Sequence, residues 1–124
     1  MKIVIIITFL LIPFFPAKAQ KGSDTGIVFD STIYHFGLIK KGTMAEHVFS
    51  FVNRGKTAVV ISNVGTYCSC IKTTWTKEPV EPNASGEVKV KYYGKTTGTF
   101  SKTVKVFTNM CDKSIDLTVK GQCK

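Results

Sequence analysis

The amino-acid sequence predicts an all-β fold, an antiparallel sandwich of seven to eight strands. Residues 20–124 contain 14 Thr and 12 Val but only 2 Leu and 3 Ala, and β-branched residues suit strands whereas Leu and Ala suit helices. Apolar and polar residues alternate along several segments, and no stretch has the spacing of an amphipathic helix. Turn-forming residues separate these segments at short intervals, which is typical of a sandwich.

Each predicted strand follows from its own pattern. Residues 86–93, 71–76 and 114–120 alternate apolar with polar side chains, whereas the other segments contain continuous apolar stretches that indicate deeper burial. In chain order the predicted strands are a broken first strand at 27–29 and 33–36, then 44–53, 57–64, 71–76, 86–93, 99–108 and 114–120. Gly37 is predicted to let the chain change direction or sheet edge. Trp75 shares a strand face with Ile71, which favours a core position.

The chain begins with a predicted signal peptide. One lysine precedes residues 3–15, of which 11 are apolar, and an Ala-Lys-Ala cleavage signature ends at Ala19. We expect cleavage between Ala19 and Gln20, so that residues 20–124 form one exported domain, periplasmic or secreted. An uncleaved anchor is the alternative. A membrane-spanning helix needs about 20 apolar residues, so no transmembrane segment is expected after cleavage.

The charge of the chain indicates a solvated sheet surface. The net charge is +9, and removal of Lys2 and Lys18 with the signal peptide lowers it to +7. Arg54 is the only arginine, although arginine is the usual residue for reading bases and phosphates. Lysines such as Lys89 and Lys91 occupy alternate strand positions, as on an exposed sheet face. We therefore expect no nucleic-acid partner.

No catalytic motif is visible in the sequence. It has no G-x-S-x-G elbow, no P-loop and no dinucleotide fingerprint, and its acidic residues are scattered. We therefore expect a protein that is not an enzyme and that has no cofactor.

Nine short motifs occur in order along residues 20–124. They are F-D at 29–30, H-F-G-L-I at 35–39, F-S-F-V-N-R-G at 49–55, V-I-S-N-V at 60–64, C-S-C at 68–70, E-P-N-A-S-G-E-V-K-V-K-Y at 81–92, G-T-F-S-K at 98–102, F-T-N at 107–109 and L-T-V-K-G at 117–121. Together they resemble the bacterial "domain of unknown function 1573" family, whose members are similar to Hydin-type immunoglobulin-like domains. The resemblance implies export, an immunoglobulin-like antiparallel β-sandwich of seven to eight strands, and no catalytic residues.

The chain departs from the family pattern at two places. The usual C-G-C followed by Thr is Cys68-Ser69-Cys70 followed by Ile71, and the usual Pro-Gly before strand 86–93 is Pro82-Asn83. Because Asn tolerates the left-handed backbone conformation nearly as well as Gly does, we expect the second turn to be kept.

Strand alternation predicts where the four cysteines lie. The loop that carries Cys68 and Cys70 and the end of the last strand near Cys123 fall at one end of the sandwich, and Cys111 falls at the other. Strands of this length separate the two ends by roughly 20 Å, whereas a disulfide needs Cα atoms within about 7 Å. We therefore expect Cys123 to pair with Cys68 or Cys70, with Cys70 favoured, and Cys111 to remain an unpaired thiol.

A metal or redox role for Cys68 and Cys70 is the alternative. Two thiolates two residues apart can share a soft ion, so the pair could bind Cu or Zn with Cys123 or a histidine as a further ligand. A disulfide between Cys68 and Cys70 would instead suit thiol exchange.

The sequence thus leaves two functional hypotheses. The first is an exported, non-enzymatic immunoglobulin-like module that binds or assembles through its loop ends or a free strand edge. Its partner would be another envelope protein or a cell-surface polymer. The second is a small envelope metal-binding or thiol-redox protein that uses Cys68 and Cys70.

Overall fold

The computed structural model describes residues 26–124, which form strands joined by turns and loops. The predicted signal peptide and its cleavage site lie outside the described residues. None of the residues described forms a helix that could cross a lipid bilayer. The eight strands are β1 (Ile27–Phe29), β2 (Ile33–Ile39), β3 (Met44–Asn53), β4 (Ile61–Gly65), β5 (Ile71–Trp75), β6 (Ser85–Tyr93), β7 (Gly98–Thr108) and β8 (Cys111–Cys123).

The strands form two four-stranded sheets, in the orders β1-β3-β6-β5 and β2-β8-β7-β4. This arrangement confirms the predicted all-β sandwich. It differs from an antiparallel sandwich at one pair, because β2 lies parallel to β8. The strand directions explain the difference. β1 and β6 both run antiparallel to β3, and β6 ends beside the end of β8, so β1, β2 and β8 all run the same way.

The predicted broken first strand is two strands in different sheets. β1 pairs with β3, and the chain then crosses to the other sheet before Ile33, where β2 begins. The crossing therefore precedes Gly37, so the predicted change of sheet edge does not occur at this glycine. Gly37 instead has a φ of 70° and lies at an irregularity in the β2–β8 register. Glycine adopts this left-handed conformation without the steric cost that a Cβ would add.

Three strands have bounds that differ from the prediction by three residues or more. β2 continues to Ile39 instead of ending at residue 36. β4 begins only at Ile61, because Val59 before it forms an isolated bridge with Val80. β8 runs from Cys111 to Cys123, so both cysteines belong to the last strand rather than to its flanking turns.

The core fills the space between the two sheets. Phe49 and Phe51 of β3 face Leu117 of β8 and a set of valines, and these side chains are at most 1% exposed. Burial of each such side chain stabilises the fold by about 1.5–3 kcal/mol. Trp75 is half-buried and packs against this core, which agrees with its predicted position. The ammonium of Lys77 lies 3.1 Å from the centre of the Trp75 ring.

Asn53 joins three segments at the end of the sandwich opposite residues 66–70. Its side chain is fully buried, and Nδ2 donates hydrogen bonds to the carbonyls of Thr57 and Val80, both at 2.8 Å. Its Oδ1 accepts a bond from the Gly55 amide at 2.9 Å. The nearby turn at Pro82-Asn83 is kept as expected, since Asn83 has a φ of 66°.

Candidate functional site: the cysteine pole

The structure groups three cysteines at one end of the sandwich but pairs them differently from the prediction. Cys68 and Cys70 are disulfide-bonded to each other, with Cα atoms 5.1 Å apart. Cys123 is a free, buried thiol, so the expected bond from Cys123 to Cys70 is not formed. Cys111 is also free. The local pairing is possible because a turn brings the two loop cysteines together, a geometry that strand alternation does not reveal.

Hydrogen bonds fix the position of this end relative to the strands. The Cys70 carbonyl accepts a bond from the Tyr93 amide at 2.9 Å, and the Cys123 thiol lies 3.8 Å from the Gly94 carbonyl. Cys70 and Cys123 therefore flank the end of β6. Cys111 pairs with Thr108 at the opposite end of β7, whereas Cys123 pairs with Gly98 at its start.

Residues 66–70 form the loop that carries the disulfide. The Ile71 amide donates to the Cys68 carbonyl at 3.2 Å, and the Cys68 amide donates to Thr66 Oγ1 at 3.3 Å. Between these turns Ser69 is exposed, and Tyr67 is 98% exposed. We call this loop, together with residues 95–102, the cysteine pole.

Three adjoining cavities surround the loop. They have volumes of about 590, 430 and 300 Å³. The largest lies between the disulfide and the start of β7, and its wall includes Tyr92 and Phe100. It forms because β4 ends at Gly65, opposite Lys105, whereas β7 begins at Gly98. Among residues 26–124, β8 is the only strand that pairs with this part of β7.

Three lysines line these cavities: Lys72, Lys95 and Lys102. No aspartate or glutamate lines any of the three. Within the described part of the chain the ion pairs lie elsewhere, where Glu46 contacts Lys89 and Lys91 and Asp116 contacts Lys105. The cysteine pole therefore presents positive charge that these carboxylates do not neutralise.

Lys102 occupies a strand position that faces the core. It lies between Phe100 and Val104, which are 6% and 1% exposed, and pairs with Val119, which is 1% exposed. Lys102 itself is half-buried and reaches two of the cavities. Lys102 is not among the residues predicted for the site. The alternation of Phe100, Lys102, Val104 and Val106 is the signal that could have found it.

The family model "Protein of unknown function (DUF1573)" matches residues 27–123. The chain belongs to the DUF1573 family. The resemblance carried by the nine sequence motifs is therefore confirmed. No curated protein matches this DUF1573 domain in sequence.

Solved structures share the fold of the DUF1573 domain at low sequence identity. A protein of unknown function from Porphyromonas gingivalis W83 is similar with a TM-score of 0.68 and 11% identity over 85% of this chain, which spans 51% of that protein. The ASH/PapD-like domain 7 of human CEP192 has the same TM-score and identity, with coverage of 89% and 94%. The Vibrio cholerae protease VesB matches with a TM-score of 0.63, 13% identity and coverage of 80% and 32%. These similarities show the fold alone.

Tyr92 gives the largest cavity a neutral aromatic wall. Burial, and secondarily the electrostatic effect of the nearby Cys123 side chain, raise the pKa of Tyr92 above its usual 10.0. Its ring stacks on Phe100 with centroids 4.1 Å apart. The phenol therefore stays protonated at physiological pH, and the wall adds no negative charge.

The metal alternative has two candidate ligands in this DUF1573 domain. Cys68 and Cys70 are bonded to each other and would have to be reduced before either could bind Cu or Zn. Within residues 26–124 no group of three or more His, Cys, Asp or Glu side chains is arranged to hold a metal ion.

Proposed function

We propose that this DUF1573 domain is an exported, non-enzymatic binding module that holds its partner at the cysteine pole. The partner would be another envelope protein or a cell-surface polymer. The observation that carries the proposal is the set of three adjoining cavities around one exposed loop, lined by lysines and by no carboxylate. Their volumes fall at or above the lower end of the range for binding sites, about 300–1,000 Å³.

Exposed side chains of the pole and of the strand ends beside it support this choice. Tyr67 is 98% exposed and lines one cavity. Met44 and Tyr93, which are 51% and 36% exposed, line another. Tyrosine and methionine are enriched at protein interfaces because they supply large contact areas. A cluster of such residues beside preformed cavities is a surface suited to binding.

The chemistry of the cavity walls supports a role without catalysis. Their ionisable side chains are lysines and tyrosines, and no histidine or carboxylate lines them. Histidines and carboxylates are the groups that most often carry out general acid–base catalysis near neutral pH.

Affinity capture from the envelope of the native host tests the proposal. The bait is the purified protein, compared with a Tyr67→Ala variant and with Val28→Ala as the matched control, since Val28 is 50% exposed on β1 at the opposite end of the sandwich. We expect a partner that the wild type and Val28→Ala retain and that Tyr67→Ala loses. Equal capture by all three baits would contradict binding at the pole.

A thiol-redox role is the second candidate, and the position of the disulfide favours it. Cys68 and Cys70 are half-buried in the wall of the largest cavity, so a thiol bound there could reach them. The partner's thiolate would attack Cys70 Sγ, form a mixed disulfide and release Cys68 as a thiolate. A second partner thiolate would resolve the mixed disulfide, so that the partner is oxidised and the loop cysteines are reduced.

Trapping distinguishes this candidate from simple binding. A Cys68→Ser variant keeps Cys70 as a free thiol and should retain oxidised partners as mixed disulfides, which a reductant releases. The Cys111→Ser variant is the control.

Metal analysis of the reduced protein tests the Cu or Zn alternative. That alternative requires a stoichiometric ion in the wild type and its loss in the Cys70→Ser variant.

A further inference from the structure

The start of β7 has an open edge beside the largest cavity. Residues 98–104 pair with β8 on one side, and the pairing of β7 with β4 reaches only Lys105 on the other. Over the part of the chain that the structure describes, no strand occupies the second side of this segment. An edge strand of this kind offers unpaired backbone groups to which an added strand can bind.

Positive charge lies next to this open edge. Lys102 belongs to the edge segment itself, and Lys95 precedes it in the wall of the same cavity. Lys102 is half-buried on the core-facing side of the strand, and its side chain lines the cavity. A carboxylate placed in the cavity would find an attractive field and no competing carboxylate.

We infer that the cysteine pole binds an extended acidic peptide of another protein, which adds as a strand to residues 98–104 of β7 and places carboxylates beside Lys102 and Lys95. The inference rests on the proposed function and names the class of its partner. The open backbone edge favours a peptide over an anionic polysaccharide, because only a peptide can form a strand ladder with β7. The lysines then favour acidic side chains in that peptide.

A random peptide display library, selected on the purified protein, tests the inference. We expect the selected peptides to be enriched in Asp and Glu, and their complexes to weaken as the salt concentration rises. Polygalacturonate, an acidic polysaccharide, serves as the second probe. It should bind more weakly than the selected peptides and should be displaced by them.

Variants of the protein locate the contact. Lys102→Met keeps the aliphatic stem of the side chain and removes its charge, and we expect it to weaken a selected peptide by about tenfold. The matched control is Lys105→Met on the same strand, whose lysine pairs with Asp116. N-methylation of the peptide at alternate residues should weaken binding by about fivefold per lost backbone hydrogen bond. Thermal unfolding of each variant verifies that the protein remains folded.

The possible results separate this inference from the proposed function. Selected peptides that are neutral or basic, or equal losses in Lys102→Met and Lys105→Met, would overturn the inference and leave a binding module in place. Polygalacturonate binding that depends on Lys102, with no peptide selected, would replace the peptide with a polymer. No binding by any probe, together with no partner in affinity capture, would overturn the proposed function as well.

Discussion

The imidazole of His47 stacks on the phenol ring of Tyr34, with ring centroids 3.6 Å apart and planes inclined by only 8°. Tyr34 belongs to β2 and His47 to β3, so the pair joins the two sheets on the side where the chain crosses between them. Phe49 packs its edge against the same imidazole at 4.6 Å. An imidazole packed between two aromatic rings is poorly solvated, so the stability of the fold depends on whether it is protonated.

The stability of the fold should fall as the solution becomes mildly acidic. Burial lowers the pKa of His47 below its usual 6.5, so the unfolded chain takes up this proton at a higher pH than the folded protein does. The contribution of the neutral imidazole is therefore complete above pH 6.5 and is lost as the pH falls toward the folded-state pKa. Denaturant unfolding between neutral pH and about pH 5.5 measures this loss. His47→Phe keeps an aromatic ring there and should flatten the dependence. An unchanged slope would contradict the assignment to His47.

Asn53→Ala should destabilise the protein by about 3 kcal/mol. The substitution leaves the carbonyls of Thr57 and Val80 and the Gly55 amide without their partner, in a place where Asn53 is fully buried. Denaturant unfolding measures the change. Asn63→Ala is the matched control, because Asn63 is exposed on β4, and it should change stability by less than about 0.5 kcal/mol. Similar losses of stability in both variants would contradict a stabilising role for the side-chain hydrogen bonds of Asn53.

Gly86→Ala should cost about 1–3 kcal/mol by overpacking. A Cβ at this position would lie 2.8 Å from Phe51 Cε1 and 3.0 Å from Val80 Cγ2. Phe51 is completely buried and cannot move aside without disturbing the core. Gly65→Ala provides the comparison, since its nearest neighbour is an atom of Phe107 at 3.8 Å. Thermal unfolding that ranks the two variants in the reverse order would contradict this packing.

Peptide mapping without reductant should find the Cys68–Cys70 bond. Trypsin releases residues 57–72, which contain both cysteines, and this peptide should be lighter by two hydrogens and joined to nothing else. In the native protein, alkylation should modify the half-buried Cys111 faster than Cys123, which is 1% exposed. A peptide that joins 57–72 to 121–124 would instead support the pairing favoured by the sequence.

Local patterns in the sequence were enough to predict most of the fold. Alternation and turn residues indicated nearly every strand, and the left-handed backbone at Asn83 followed from the chemistry of one residue. The parallel β2–β8 pair was not predicted, because it depends on which sheet the chain enters after Phe29. Tertiary packing determines that choice, and the alternation of apolar and polar residues along a strand does not indicate which sheet the strand joins.

The candidate site was predictable in its position but not in its bonds. Strand alternation grouped Cys68, Cys70 and Cys123 at one end, since it fixes the end at which each loop emerges. The bond between Cys68 and Cys70 depends on the turn around Ser69. The cavity depends on β4 ending at Gly65, before it covers the start of β7, which no local pattern indicates.

Site-specific photo-cross-linking in the native host tests the central proposal, a partner held at the cysteine pole, most directly. A photoreactive amino acid replaces Ser69 or Ser101, two exposed residues that line the largest cavity, and in the controls it replaces Asp112 or Lys113, which are exposed at the opposite end. We expect the same cross-linked partner from Ser69 and Ser101 and none from Asp112 and Lys113. Cross-links confined to the opposite end, or equal at all four positions, would contradict it.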